Sequence, residues 1–155
     1  MNIEFMLNGR RVSAAMDADD SLFTVLRTLG MYSVKCGCET TNCGLCTVHM
    51  DGKAVLSCSV PAARCAGHEI VTLEGLKAEA EQLGRCLADE GAEQCGYCSP
   101  GMMMNVFALA KENPDATEEE IDAYLAGNLC RCSGYVSQRR AIRRYLDQVK
   151  GEVRA

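Results

Sequence analysis

The chemistry available to this chain lies in its sulfur. Eleven of its 155 residues are cysteine, and eight of these fall into two groups of four. The first group reads Cys38-x4-Cys43-x2-Cys46-x11-Cys58. Three thiolates from one compact loop and a fourth from a returning segment is the plant-type ferredoxin spacing, in which four cysteines hold a [2Fe–2S] cluster. Gly44, inside that loop, lets the backbone crowd a bulky group because it has no Cβ. Structural zinc is the competing chemistry, but zinc sites usually pair C-x2–4-C knuckles, and a single distant fourth thiol suits them less well. The second group joins Cys95-x2-Cys98 to Cys130-x-Cys132. By spacing alone it suits tetrahedral zinc better than a cluster. Amide donors at a helix start after Ser99 would favour an anionic cluster.

The other three cysteines read as non-ligands. Cys36 precedes the first group by two residues and would need a longer C-x6-C loop, while Cys65 and Cys86 read as small core or surface residues. A disulfide framework is disfavoured by the odd count and by the close Cys36/Cys38 and Cys130/Cys132 pairs. The N-terminal residues show neither the basic start nor the apolar stretch of an export signal, and polar and acidic residues follow Arg10-Arg11. No apolar run approaches the roughly 18–20 residues that span a bilayer. The expected setting is a reducing cytoplasm, where clustered thiols hold metal. His49, in an expected strand, and His68, in an expected loop, read as non-ligands.

The charges are unevenly spread along the chain. Net charge is −5, yet residues 1–68 carry six acids and six bases, 69–122 thirteen acids and three bases, and 123–155 two acids and seven bases. An acidic chain with five Tyr, three Phe and no Trp is a poor nucleic-acid binder. The basic run (Arg131, Arg139, Arg140, Arg143, Arg144, Lys150, Arg154) reads first as a solvated helix face.

The elements that must position these thiols are legible in periodicity. Ile3, Phe5 and Leu7 alternate before Asn8-Gly9, which predicts a hairpin whose second strand runs through Val12. Ser21 caps a short helix with Leu22, Val25, Leu26 and Leu29 on one face, ended by Gly30. Residues 47–50 and 54–56 flank Asp51-Gly52 as a second hairpin, and 70–73 read as a last strand. The period then changes. Helices are expected over 76–90, from an N-cap at Ser99 with Pro100 to Lys111, from a Thr117/Glu120 capping box to Gly127, and along Ala141, Ile142, Tyr145, Leu146 and Val149. The fold class is therefore α+β, a sheet-bearing domain over 1–75 followed by a four-helix bundle over 76–155.

Four segments carry a resemblance. Val34-Lys35-Cys36-Gly37-Cys38, Cys43-Gly44-Leu45-Cys46-Thr47-Val48, Gln94-Cys95-Gly96-Tyr97-Cys98-Ser99-Pro100-Gly101-Met102 and Gly127-Asn128-Leu129-Cys130-Arg131-Cys132-Ser133-Gly134-Tyr135 are similar to the motifs of the iron–sulfur subunit of the molybdenum hydroxylases, the xanthine dehydrogenase family. The resemblance runs in order along nearly the whole chain. It implies a β-grasp ferredoxin-like domain and a helical domain, each with a [2Fe–2S] cluster, and so assigns the second quartet to iron as well. The chain departs from the family pattern at Thr40-Thr41, where glycine is usual, and at Cys36 and Leu45; no ligand is lost.

The resemblance further implies a molybdenum–pterin hydroxylase centre in a large subunit and FAD, or another acceptor, in a medium subunit. This chain would relay single electrons between them and hold no catalytic acid or base. Cys132 and Gln94 are expected to touch the pterin, and the small residues Gly127-Asn128 and Ser133-Gly134 to leave room for that cofactor. The expected assembly is a hetero-oligomer, up to a dimer of heterotrimers, with no nucleic acid and no membrane span. A free-standing redox carrier and a double zinc protein are the alternatives.

Overall fold

The computed structural model describes residues 1–154, with side chains through Gly151; the Arg154 side chain and Ala155 lie outside the described residues. Strands β1 (Asn2–Leu7) and β2 (Arg10–Ala15) form the expected hairpin, with β2 running past Val12. Asn8 and Gly9 take φ of 50° and 75°, the left-handed pair that an Asn-Gly turn supplies at least cost. Asp51 and Gly52, at φ 50° and 80°, make the same turn between β3 (Thr47–Met50) and β4 (Lys53–Leu56). Strand β5 (Glu69–Val71) lies parallel to β1 and antiparallel to β3, giving a mixed sheet in the order β2-β1-β5-β3-β4. The strand stops short of the expected Thr72-Leu73. The Thr72 amide donates to Asn8 Oδ1 at 2.9 Å, and residues Leu73–Gly75 tighten into a 3-10 turn.

Helix α1 (Leu22–Thr28) starts at Ser21, whose Oγ accepts the Thr24 N–H at 3.2 Å. Its Leu22, Val25 and Leu26 bury against Ile3, Phe5, Leu7, Val48 and Ile70. Four more helices follow: α2 (Lys77–Asp89), α3 (Ser99–Glu112), α4 (Glu118–Leu125) and α5 (Val136–Arg154). They surround a separate apolar cluster that includes Leu83, Leu87, Met104, Phe107, Ile121, Ile142 and Leu146. The Thr117/Glu120 capping box opens α4 as its sequence requires.

One local expectation is corrected. The N-cap of α3 is Cys98, not Ser99, whose hydroxyl turns to the Glu93 carboxylate at 2.7 Å. A candidate ligand thereby stands at the positive end of a helix. Buried on most of its length, α3 packs against β3 as well as against its helical neighbours. Where it crosses β3, His49 is 1% exposed and its Nε2 donates to the Met104 carbonyl at 2.6 Å. No helix among the described residues is long and apolar enough to cross a membrane.

Candidate metal centres

All four thiols of the first quartet, Cys38, Cys43, Cys46 and Cys58, line one recess. Within it they meet in twos. Cys38 hydrogen-bonds Cys43, and Cys46 hydrogen-bonds Cys58. The second quartet pairs in the same way. Cys132 Sγ lies 3.5 Å from Cys95 Sγ, and Cys98 hydrogen-bonds Cys130. Among the described residues no three His, Cys, Asp or Glu side chains gather for one metal ion. A binuclear cluster takes two protein ligands on each iron, so two thiol pairs are the arrangement it needs.

The electrostatics fit the same group. The Cys38 thiol is drawn down to about 6 by the backbone N–H groups of Thr40 and Asn42 and by Cys43. Burial, with Cys46, Cys38 and Cys43 beside it, pushes Cys58 up to about 12. The second quartet splits likewise. Burial raises Cys98 to about 11, with Cys130 adding to it. Burial also opposes ionisation of Cys130, but hydrogen bonds from the Ser133 side chain and backbone outweigh it and leave Cys130 near 7. In the second quartet the Tyr97 N–H draws Cys95 down as well, and in each quartet a thiolate already formed repels the next. Cationic irons remove that repulsion, which is how metal binding drives thiol deprotonation.

Donors to sulfur differ between the sites. Asn42 N–H reaches Cys38 Sγ at 3.4 Å. Around Cys130 the donors are Ser133 N–H at 3.4 Å and Ser133 Oγ at 3.2 Å, and Gln138 Nε2 stands 3.7 Å from Cys98 Sγ. Each loop also holds a bulky residue in the left-handed region, Thr41 at φ 57° and Tyr135 at φ 71°. Thr41 occupies the position flagged above as usually glycine, so the loop keeps a glycine-like shape at a strain cost of about 1–2 kcal/mol. Tyr135 offsets its strain by accepting the Cys130 N–H on its hydroxyl at 2.8 Å.

The two loops meet at a seam. Leu129 N–H donates to the Cys43 carbonyl at 2.9 Å, and buried Asn128 donates from Nδ2 to the Gly44 carbonyl at 3.3 Å. A Cβ on Gly44 would lie 2.3 Å from the Gly127 carbonyl, and one on Gly101 would lie 2.3 Å from the Gly44 carbonyl. Gly44 is therefore small, and left-handed at φ +69°, to admit the other half of the chain. Gly127 and Asn128 pack on the chain's own first loop through the Gly127 carbonyl and the Asn128 side chain, while a Cβ on Gly127 would meet nothing within 4 Å. On the other side of the seam, Tyr97 Oη donates to the Cys36 carbonyl at 2.8 Å and Lys35 Nζ sits 4.7 Å from the Tyr97 ring centre.

A model described as "2Fe-2S iron-sulfur cluster binding domain" matches residues 5–88, and another described as "[2Fe-2S] binding domain" matches residues 72–143. The chain is 40% identical to the nicotinate dehydrogenase small FeS subunit of Eubacterium barkeri, covering 92% of this chain and 93% of that protein. It is 43% identical to the xanthine dehydrogenase iron-sulfur-binding subunit of Escherichia coli O157:H7, covering 87% of each. The chain belongs to the small iron–sulfur subunits of the molybdenum hydroxylases. Among solved structures, a chain of quinoline 2-oxidoreductase from Pseudomonas putida 86 superposes with a TM-score of 0.89 at 32% identity, over 97% of this subunit and 96% of that chain.

In this iron–sulfur subunit the remaining sequence candidates have plain places. Gln94 and Cys132 are both exposed, and Gln94 Nε2 donates to the Cys132 carbonyl at 3.2 Å. Cys36 is exposed beside the first quartet, its thiol directed to the Cys38 carbonyl at 3.2 Å, whereas Cys65 and Cys86 are buried in the two cores. His49 holds the seam, and His68 pairs with Asp51 at 2.5 Å. Sequence reasoning passed over Ser133, Gln138 and Asn128 as functional groups. Only Asn128 and Ser133 had a signal, their position inside a motif.

Proposed function

We propose that this chain relays single electrons from a molybdenum–pterin centre in a large subunit to FAD, or another acceptor, in a medium subunit. One centre is held by Cys38, Cys43, Cys46 and Cys58, the other by Cys95, Cys98, Cys130 and Cys132. A [2Fe–2S] cluster, when bound, passes one electron at a time, dividing a two-electron oxidation into single steps. The domains are a β-grasp unit over 1–75 and a four-helix bundle over 76–155.

The observation that carries this reading is the Leu129 N–H to Cys43 carbonyl bond at 2.9 Å. It ties the backbone of one ligand to the residue preceding another, so the two quartets are linked through few bonds and one hydrogen bond. Gln94 and Cys132, exposed together, give the second quartet its outward contact, where the pterin would sit. The first quartet's loop, with Glu39, Thr40 and Thr41 exposed, is left for the acceptor subunit.

The test is electron paramagnetic resonance on the assembled complex with molybdenum poised in its one-electron state. Only the cluster held by Cys95, Cys98, Cys130 and Cys132 should show magnetic coupling to molybdenum, and Gln94→Ala should weaken pterin retention while leaving iron in place. Coupling to the other cluster would reverse the direction proposed. Purification of the native chain free of large and medium subunits would favour a free-standing carrier.

A further inference from the structure

We propose that Ser133 and Gln138 raise the reduction potential of the second cluster by hydrogen-bonding the two thiolates of one iron, the iron held by Cys98 and Cys130. The inference rests on reading that quartet as a [2Fe–2S] site. Gln138 lies in the first turn of α5, is 3% exposed, and directs Nε2 to Cys98 Sγ at 3.7 Å. A side-chain amide that deep is costly unless it finds a partner, and the partner it finds is a cluster thiol. Ser133 Oγ stands 3.2 Å from Cys130 Sγ and accepts the Tyr135 N–H at 3.1 Å. That acceptance orients the hydroxyl so that its own proton faces the sulfur.

The same pair is thus served from two elements, the loop after Cys132 and the start of α5. The other pair has backbone donors, the Tyr97 N–H on Cys95 and the Cys95 N–H on Cys132, and no such side-chain amide or hydroxyl. Cys95 and Cys132 are exposed, and the neighbouring Gln94 amide goes to the Cys132 carbonyl and not to a sulfur. In the first quartet the N–H donors to Cys38 come from the backbones of Thr40, Asn42 and Cys43, which substitution leaves in place.

Reduction adds one electron, and so one negative charge, to a group whose thiolates already carry negative charge; no bond breaks and no proton is required to move. Donors aimed at those sulfurs favour the reduced state over the oxidised one. Removing a donor must therefore lower the potential of the second cluster and leave the first unchanged.

The experiment is a redox titration of the full chain, loaded with iron and sulfide, with both clusters followed by electron paramagnetic resonance. Gln138→Met and Ser133→Ala should each weaken reduction of the second cluster about tenfold, which is about 59 mV for one electron. Gln138→Glu, which replaces the donor by a carboxylate, should lower it further. Ser133→Thr, which keeps the hydroxyl, should stay at the parent value. The first cluster is the internal control in every variant. An unmoved second-cluster potential in loaded Gln138→Met and Ser133→Ala overturns the proposal, as does an equal shift in both clusters. If Gln138→Met fails to take up its cluster, the Ser133→Ala and Ser133→Thr pair decides; loss of the signal in both of these makes Ser133 a folding element and also overturns it. Absence of a second [2Fe–2S] signal from the unsubstituted chain would defeat the reading of the site itself, a different result from a loaded cluster whose potential does not move.

Discussion

The two thiol quartets solve one problem with different parts. Around Cys38–Cys46 a single loop supplies three of the proposed ligands, and its own backbone amides solvate the Cys38 sulfur. Around Cys95–Cys98 and Cys130–Cys132 two distant loops supply two of the proposed ligands each, and the side chains of Ser133 and Gln138 add to backbone donors such as the Ser133 N–H. The physical consequence is a difference in how far each site can be adjusted. Backbone donors come with the loop fold and cannot be removed one at a time. Side-chain donors can be exchanged singly, so the second site is open to tuning by point substitution. The difference also sets what holds each site together, because a one-loop site depends on local geometry and a two-loop site on the packing of α3 and α5.

The largest effect expected is loss of one site without the other. Cys43→Ala should remove only the first cluster and Cys98→Ala only the second, each taking iron from about four to about two per chain. Cys36→Ala should remove neither. Iron analysis with visible spectroscopy checks all three, and simultaneous loss of both clusters would show that the sites do not assemble independently.

Next in size is the seam. Gly44→Ala forces a Cβ to 2.3 Å from the Gly127 carbonyl and into a left-handed backbone. Strain and overlap together should cost about 2–5 kcal/mol. Denaturant unfolding should register that loss, and unchanged stability would mean that the loops do not press on one another.

A smaller effect is pH-dependent. Burial holds the pKa of His49 below the ordinary histidine value; the Met104 carbonyl opposes this, Lys111 adds to the lowering and Glu112 counters it. The unfolded chain takes up this proton near pH 6.5, the native chain only at lower pH. The unfolded state thus binds more protons in that window, and stability should fall as pH drops below about 6.5. His49→Gln should flatten that part of the stability profile, and a profile identical to the parent's would remove His49 from the seam's energetics.

The smallest effect concerns loop strain. Thr41→Gly should relieve a β-branched residue from φ 57°, offset in part by the added freedom of the unfolded chain. The net gain should be about 0.5–1 kcal/mol, measured as a raised unfolding midpoint with the first cluster retained. Tyr135→Phe should do the opposite in the second loop, because Tyr135 loses its bond to the Cys130 amide and keeps its strain.

Short-range chemistry was readable along the chain. Both hairpin turns, the Ser21 cap, the Thr117/Glu120 box and the spacing of each cysteine motif depend on residues within a few positions of one another. Covalent geometry nearly settles such relations before any packing occurs. The identity of α3's cap was missed by one residue because Ser99 has a better partner in Glu93, and the end of β5 was missed because Thr72 answers to Asn8, far off in sequence. Gly44 was correctly singled out as a place of close approach, but what approaches is the Gly127 carbonyl. Which thiol of the second quartet faces which, and that Gln138 turns its amide inward to Cys98, depends on how α3 and α5 pack. In these relations Cys132 and Cys95 lie 37 positions apart, Gln138 and Cys98 40, and Asn128 and Gly44 84. No local propensity encodes them, because the free energy that selects them is the burial and pairing of groups that meet only once the two cores have formed.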